Sequence, residues 1–288
     1  MLGRRAGGEL ACFPMIDAAF LAASGSVEMP SRLSILSLSL AALILAGCAS
    51  APPAPGTMAE SYKLKDGSVV RYMEYVPGKL DLNKHVPILI FLHGSGSAGH
   101  NINAVLDNGP WQYAREHADF PFIILAPQED QDGEWDPEKL NEWLDHVVGV
   151  LPVDRRRIYL TGLSRGGQGA WDFAMRYPHW FAAVAPLSGY SDIRQPCRLQ
   201  GMPVWAFHGA QDGVVPIKYD QATVAEAQTC GVKIKFTVYP DLGHDTWDRT
   251  YENPALYDWL RSARKPLFRL SPPLHEPLRP LKAPSDVH

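Results

Sequence analysis

The stretch that decides the fold is RIYLTGLSRGGQGAWDFAMRYP, residues 157–178. An apolar strand (RIYLTG) leads in and a helical segment (GGQGAWDFAMRYP) leads out. Between them Gly162-Leu163-Ser164-Arg165-Gly166 matches G-x-S-x-G, with Gly167 following. A sharp strand-to-helix turn forces such a serine into a strained backbone conformation with its Oγ exposed. Glycines two residues before and after it let neighbouring backbone pack closely, and the helix N-terminus favours negative charge. The bland alternative is a glycine-rich turn carrying a solvated serine.

Reading outward, the apolar run recurs. PILIFLHG (87–94), FIILAPQ (122–128), FAAVAPLSG (181–189), PVWAFHG (203–209) and KIKFTVYP (233–240) are continuous enough to be strands buried on both faces. Helix candidates lie between them at 103–117, 136–151, 164–177, 217–230 and 254–264. This alternation predicts an α/β fold with a parallel sheet covered by helices on both faces. SYKLKDGSVVRYMEYV (61–76), turning at Asp66-Gly67, predicts an added β-hairpin. Ligands bind such sheets beyond the carboxyl ends of the strands. The informative segments are therefore HGSGS, PQEDQDGEW, GLSRGG, SGYSD, HGAQDGVVP and PDLGHDTW.

A serine is a poor nucleophile until a base takes its proton. Of ten histidines, His93, His100, His208 and His244 are candidates by placement. His244 lies just past the last strand run and is the expected base. His93 and His208 end strands as His-Gly and read as packing or hydrogen-bonding residues. Asp212 follows the strand before and is the expected orienting acid, with Asp192 and Asp220 as weaker rivals. An oxyanion needs preorganised donors. The Arg165 N–H is one, and the Ser95 N–H, or that of neighbouring Gly96, is the other. HGSGS lacks the lysine and spacing of a phosphate-binding loop. Trp135, Tyr190 and Trp247 sit in strand-end segments as candidate pocket walls, although each alone reads equally well as packing. Trp111 and Trp171 fall on helices and belong to the core. There is no HExxH and no clustered His/Cys set, so neither a metal nor a cofactor is expected.

With these residues assembled, the chain resembles the α/β-hydrolases. Within them it is similar to secreted esterases grouped with polyhydroxyalkanoate depolymerases, feruloyl esterases and proteins called phospholipase/carboxylesterase or predicted peptidase. The resemblance runs over about residues 86–262. It rests on LHGSG, APQ, DRRRIYLTGLSRGGQGAWDFAMRYP, FAAVAP, HGAQDGVVP and YPDLGHDTW. It puts Ser164, Asp212 and His244 on triad positions in the order Ser…Asp…His. Where methionine is frequent after the nucleophile, this chain has Arg165; the backbone donor is unaffected, but a guanidinium bears on substrate preference. The resemblance implies a serine hydrolase of carboxylic esters acting through an acyl-enzyme. Small aryl, acetyl or feruloyl esters are favoured over long lipids, because no separate lid domain fits. A serine peptidase with the same triad is the alternative. A non-catalytic envelope lipoprotein is a third reading; it predicts a missing triad member, and none is missing.

The ends read differently from the middle. Residues 33–47 form an apolar run of 15 residues, short for a membrane-spanning helix. It ends in Leu45-Ala46-Gly47-Cys48, which resembles the lipobox of bacterial lipoproteins, where the cysteine is diacylated and becomes the N-terminus. The expected division is a leader (1–47), a Pro-rich tether (48–57), an α/β-hydrolase catalytic domain (58–264) and a Pro-rich disordered or loosely docked tail (265–288). A lipid anchor on Cys48 implies a bacterial cell-envelope location. Ala49, rather than aspartate, points to the outer membrane. A net charge of −4 gives no overall electrostatic reason to bind nucleic acid. The expected partners are thus a small-molecule ester and, through the anchor, a membrane. Cys197 and Cys230 precede the strands at 203–208 and 233–239. If those strands are parallel neighbours, both lie at the sheet edge away from the site, where a disulfide requires Cα atoms within about 7 Å.

Overall fold

The computed structural model describes residues 56–131, 133–191 and 195–266. Eight strands form one sheet in the order β1-β2-β4-β3-β5-β6-β7-β8. β1 (Gly56–Lys63) and β2 (Val69–Val76) are the antiparallel hairpin, and β2 also pairs antiparallel with β4. At the hairpin turn the Ser68 N–H donates to Asp66 Oδ1 (2.8 Å), and Gly67 takes a φ of 90°, which favours glycine. β3 (Val86–Leu92), β4 (Ile123–Gln128), β5 (Val153–Leu163), β6 (Ala183–Leu187), β7 (Val204–Gly209) and β8 (Ile234–Tyr239) run parallel.

The reason for the continuous apolar runs is now visible. Every residue of β3, β4, β6 and β7 is buried, because helices cover both faces. On one face Ile88, Ile90 and Leu92 pack with Trp143 of α2 (Pro137–Val150) and Trp171 of α3 (Arg165–Arg176). On the other, Leu89 and Phe91 pack with Trp111 of α1 (Trp111–Glu116) and Leu260 of α6 (Pro254–Ser262). α4 (Ile217–Thr229) adds Val224 and Ala227 to the first face. A five-residue helix, α5 (Trp247–Tyr251), follows β8. This is the α/β-hydrolase fold.

From β3 the chain passes to β4 on one side and then to β5 on the other. The strand order reverses at β3, so the crevice beyond the carboxyl ends of β3 and β5 is where such a sheet binds ligands.

Several expectations need correction. The helix expected at 103–117 is a 3-10 turn over Ile102–Leu106 followed by α1. Gly109 at φ 113° and Pro110 interrupt it, and a Cβ on Gly109 would sit 2.6 Å from Phe91 Cζ. α5 has no counterpart among the helices expected from the sequence. Gly56 and Thr57, read as tether, lie in β1 opposite Val76 and Tyr75. Lys265, read as the start of the tail, is bonded to the domain: its N–H donates to Arg156 O (3.0 Å) and its Nζ to His179 O (2.8 Å). The leader, Cys48 and residues 267–288 lie outside the described residues. Among the described residues no helix is long and apolar enough to cross a membrane.

Cys197 and Cys230 are joined, with Cα atoms 5.2 Å apart. Cys197 lies in the 3-10 turn Pro196–Leu199, and Cys230 ends α4. Both precede neighbouring strands, so the bridge sits at the sheet edge opposite Ser164.

Candidate active site

Ser164 stands between β5 and α3 at φ 54°, ψ −119°. A non-glycine residue at positive φ costs energy and persists only where surrounding packing over-determines it. Here the packing is backbone on backbone. A Cβ on Gly162 would lie 2.2 Å from Gly166 O, and one on Gly166 would lie 2.0 Å from Leu92 O. The Ser164 N–H donates to Leu187 O of β6 (2.9 Å). The G-x-S-x-G spacing thus holds the turn against β3 and β6 at distances that only glycine permits.

Three side chains from three segments meet there. Ser164 Oγ is 2.8 Å from His244 Nε2, and His244 Nδ1 is 2.8 Å from Asp212 Oδ2. The Asp212 side chain is fully buried, and that of His244 is 15% exposed. The Val214 and Val215 N–H groups donate to Asp212 Oδ1 (2.9 and 2.8 Å). Three N–H donors therefore point at one buried carboxylate, and His208 Nε2 stands 3.2 Å from its Oδ2. Asp220, one of the rival acids, is bonded to His208 rather than His244. Asp192 lies outside the described residues.

The loop bearing His244 is fixed from both sides. Ser188, buried at the end of β6 with φ 47°, donates from Oγ to His244 O (2.9 Å) and meets Thr246 Oγ1 (2.7 Å). Outside, Arg249 and Asp241 form a two-bond fork, both distances 2.8 Å, and the Arg249 hydrogen bonds hold the Asp241 carboxyl down to about 2. A Cβ on Gly209 would lie 1.9 Å from Gly243 O, so the end of β7 touches the backbone just before the histidine.

The HGSGS segment becomes a 3-10 turn, Ser95–Ser97, beside the elbow. Ser95 and Gly96 line the cavity that contains Ser164. They open a helical turn, as Arg165 opens α3. Two buried residues hold this segment. Gln128 Nε2 donates to Ser97 O (2.8 Å) and Asn101 O (2.7 Å). His93 Nε2 accepts from the Glu129 N–H (3.1 Å), which leaves Nδ1 to donate to Gly94 O (2.7 Å).

The cavity at Ser164 has a volume of about 330 Å³ and is walled by Phe91, Leu163, Asn108, Val214 and Trp247. Trp247 meets the His244 ring edge to face at 5.4 Å. Of the three aromatic candidates it alone lines this cavity. Trp135 is buried, its Nε1–H donating to His93 O (3.3 Å), and its ring fills the space beside Gly169. It supports the HGSGS segment from behind and lines a different cavity, with Gln128 and Glu129. Tyr190 pairs with Tyr219 at 5.3 Å and does not line the cavity either. Gln128, Ser188 and Trp135 in its supporting role were not foreseen. Each bonds to backbone far away in sequence, and no motif marks such a partner. Among the described residues no group of three or more His, Cys, Asp or Glu side chains is arranged to hold a metal.

Comparison with known proteins agrees with this architecture. Residues 126–255 match the family model described as Phospholipase/Carboxylesterase. A probable carboxylesterase of Oryza sativa subsp. japonica is 33% identical over 119 residues, covering 38% of this chain and 49% of its own. The chain thus spans about half the length of that relative. The crystal structure of a thermostable esterase superposes with a TM-score of 0.67 at 26% identity, covering 73% of this chain and 63% of that one. Porphyromonas gingivalis dipeptidyl peptidase 4 superposes with a TM-score of 0.58 at 13% identity over 72% of this chain and 35% of its own, a likeness of fold alone.

Proposed function

We propose that this chain hydrolyses carboxylic esters through an acyl-enzyme, held at a bacterial envelope membrane by a lipid on Cys48. The observation that carries the reaction is the relay from Ser164 Oγ through His244 to buried Asp212, with both links at 2.8 Å, built on a strained elbow. Ser164 Oγ attacks the ester carbonyl as His244 Nε2 takes its proton. Asp212 holds the Nδ1–H tautomer and stabilises the imidazolium. The oxyanion is met by the Arg165 N–H and by that of Ser95 or Gly96. His244 then protonates the departing alcohol oxygen, and a water activated by the same histidine releases the acid and regenerates the serine.

Substrate size follows from the cavity. About 330 Å³ is at the lower end of the range for small-molecule sites. It suits acetyl or compact aryl acyl groups such as feruloyl better than long chains, and Trp247 offers an aromatic wall. A peptidase reading draws support from neighbours in fold alone, whereas the Oryza sativa relative is named a probable carboxylesterase. The anchor rests on Leu45-Ala46-Gly47-Cys48 closing the apolar run.

The test is the purified protein against p-nitrophenyl esters, methyl ferulate and peptide anilides, with Ser164→Ala alongside. Ester turnover abolished in Ser164→Ala is expected. Equal activity in the variant sinks the mechanism, and turnover of anilides alone reassigns the protein as a peptidase. For the anchor, a Cys48→Ser variant that still partitions into detergent refutes lipidation.

A further inference from the structure

His208 and Asp220 form a buried pair directly behind Asp212, and the reaction above uses neither. Both side chains are essentially without solvent exposure. His208 ends β7, and Asp220 lies in the first turn of α4. His208 Nε2 is 2.9 Å from Val215 O and 3.2 Å from Asp212 Oδ2, the same oxygen that meets His244. His208 Nδ1 is 2.9 Å from Asp220 Oδ2, and the Trp171 indole N–H donates to Asp220 Oδ1 (3.2 Å).

Donor and acceptor chemistry fixes the protons. A carbonyl can only accept, so Nε2 carries a hydrogen and donates it to Val215 O. The bond between Nδ1 and Asp220 then needs one more proton, shared by that pair. The titratable groups facing His208 are Asp220 from α4 and Asp212 from the loop after β7, with His244 beyond Asp212; α3 contributes the Trp171 indole to Asp220. Burial alone would make His208 less basic. The hydrogen bonds to Asp220 and Val215 O, with the charges of Asp220 and Asp212, outweigh it and leave the imidazole more basic than usual.

We propose that His208, braced by Asp220, is a positioning residue for the reaction: its Nε2–H pins Val215 O, and with it the turn whose Val214 and Val215 N–H groups hold Asp212 Oδ1, while the proton shared with Asp220 sets the positive end of that pair 3.2 Å from Asp212 Oδ2. The positive charge offsets part of Asp212's attraction for a protonated His244. The positive end of the His208–Asp220 pair is therefore expected to extend activity toward the acid side. The inference rests on Ser164, His244 and Asp212 being the catalytic relay.

The test uses steady-state kinetics with p-nitrophenyl acetate across the acid limb, on wild type, Ser164→Ala, His208→Leu, His208→Gln and Asp220→Asn. His208→Leu removes the donor and lowers kcat about tenfold with KM changed less than about threefold, a loss within the coupling range of one hydrogen-bond network. His208→Gln puts an amide N–H where Nε2 was and recovers most of that loss. Asp220→Asn donates to Nδ1 in place of the shared proton; it keeps Nε2–H and removes the charge. Its plateau kcat stays near wild type, and its acid limb in kcat/KM moves up by about half a pH unit. Wild-type kcat in a folded His208→Leu overturns the proposal. So does a His208→Gln no better than His208→Leu, which would make the role one of packing. Should His208→Leu not fold, Asp220→Asn decides alone, and an unmoved acid limb overturns the proposal. Activity surviving in Ser164→Ala instead removes the serine relay itself, whereas an inactive Ser164→Ala beside an unimpaired His208→Leu removes this inference alone.

Discussion

Gly209→Ala is the sharpest probe of how the site is held. A Cβ there would lie 1.9 Å from Gly243 O and 2.6 Å from Leu242 O, both backbone atoms. The first distance falls short of the closest contact that real Cβ atoms make by more than about 1 Å. No rotamer change relieves a clash with backbone, so one partner must move. If the loop moves, it carries His244, which follows Gly243 directly, and both 2.8 Å links lengthen. If the end of β7 moves, the bond from the Asp212 N–H to Gly209 O (3.3 Å) transmits the shift to the acid. Either way the base and its orienter part by roughly an ångström, a displacement that costs about 100-fold in rate. Overpacking of this kind costs about 1–3 kcal/mol of stability, so the protein remains folded. Initial rates on p-nitrophenyl acetate, paired with a thermal melt, check both statements. Gly149→Ala in α2, where nothing stands within 4 Å of the added carbon, is the matched control and should be neutral or slightly stabilising. A folded Gly209→Ala with activity within about threefold of wild type would refute the reasoning.

Three further outcomes are expected. Burial, with the charge of Glu60 adding to it, raises the Glu74 carboxyl to about 7. The folded state thus binds this proton more tightly than the unfolded chain, so stability falls as pH rises from about 4.5 to about 7 and then levels, by about 2–3 kcal/mol in all. Glu74→Gln should therefore raise the melting temperature well above neutrality and leave it nearly unchanged near pH 4; an equal gain at both contradicts this. Breaking Cys197–Cys230, which closes 33 residues of chain, should cost about 3–4 kcal/mol and roughly 10 °C in Tm. Its distance from Ser164 predicts unchanged kcat in the Cys197→Ser, Cys230→Ser double variant, read by kinetics below the melt. Trp247→Ala should raise KM for methyl ferulate about three- to tenfold and for p-nitrophenyl acetate much less; equal changes for both would deny it an aromatic-binding role.

The strand runs and the three side chains that meet at the elbow were legible because each leaves a local mark. PILIFLHG reads as a doubly covered strand, and Ser164 sits in a G-x-S-x-G turn that is visible in the chain itself, although Leu92 O, far away in sequence, is what forces Gly166. What was not legible depends on long-range partners. Nothing in PQEDQDGEW says that the Trp135 indole turns inward to His93 O, or that Gln128 reaches the carbonyls of Ser97 and Asn101. Ser188 carries no motif, and its bonds to His244 and Thr246 span more than fifty residues. The helix expected through 103–117 followed apolar spacing and underweighted Gly109-Pro110, where a tight approach to Phe91 sets the backbone. His208 read correctly as a hydrogen-bonded structural residue, but what it bonds to required the fold.

Ser164, His244, Asp212, His208, Asp220 and Trp171 are linked in series. Trp171 lies on α3, the helix that starts immediately after Ser164. The series is therefore a closed linkage, with two turns of helix as its last bar. Like a braced frame, it cannot shear at one joint without loading the others. The side chains of Val214 and Trp247 line the cavity without being links in that series, so they can be replaced while the bonded groups, the Val214 N–H to Asp212 included, stay in place.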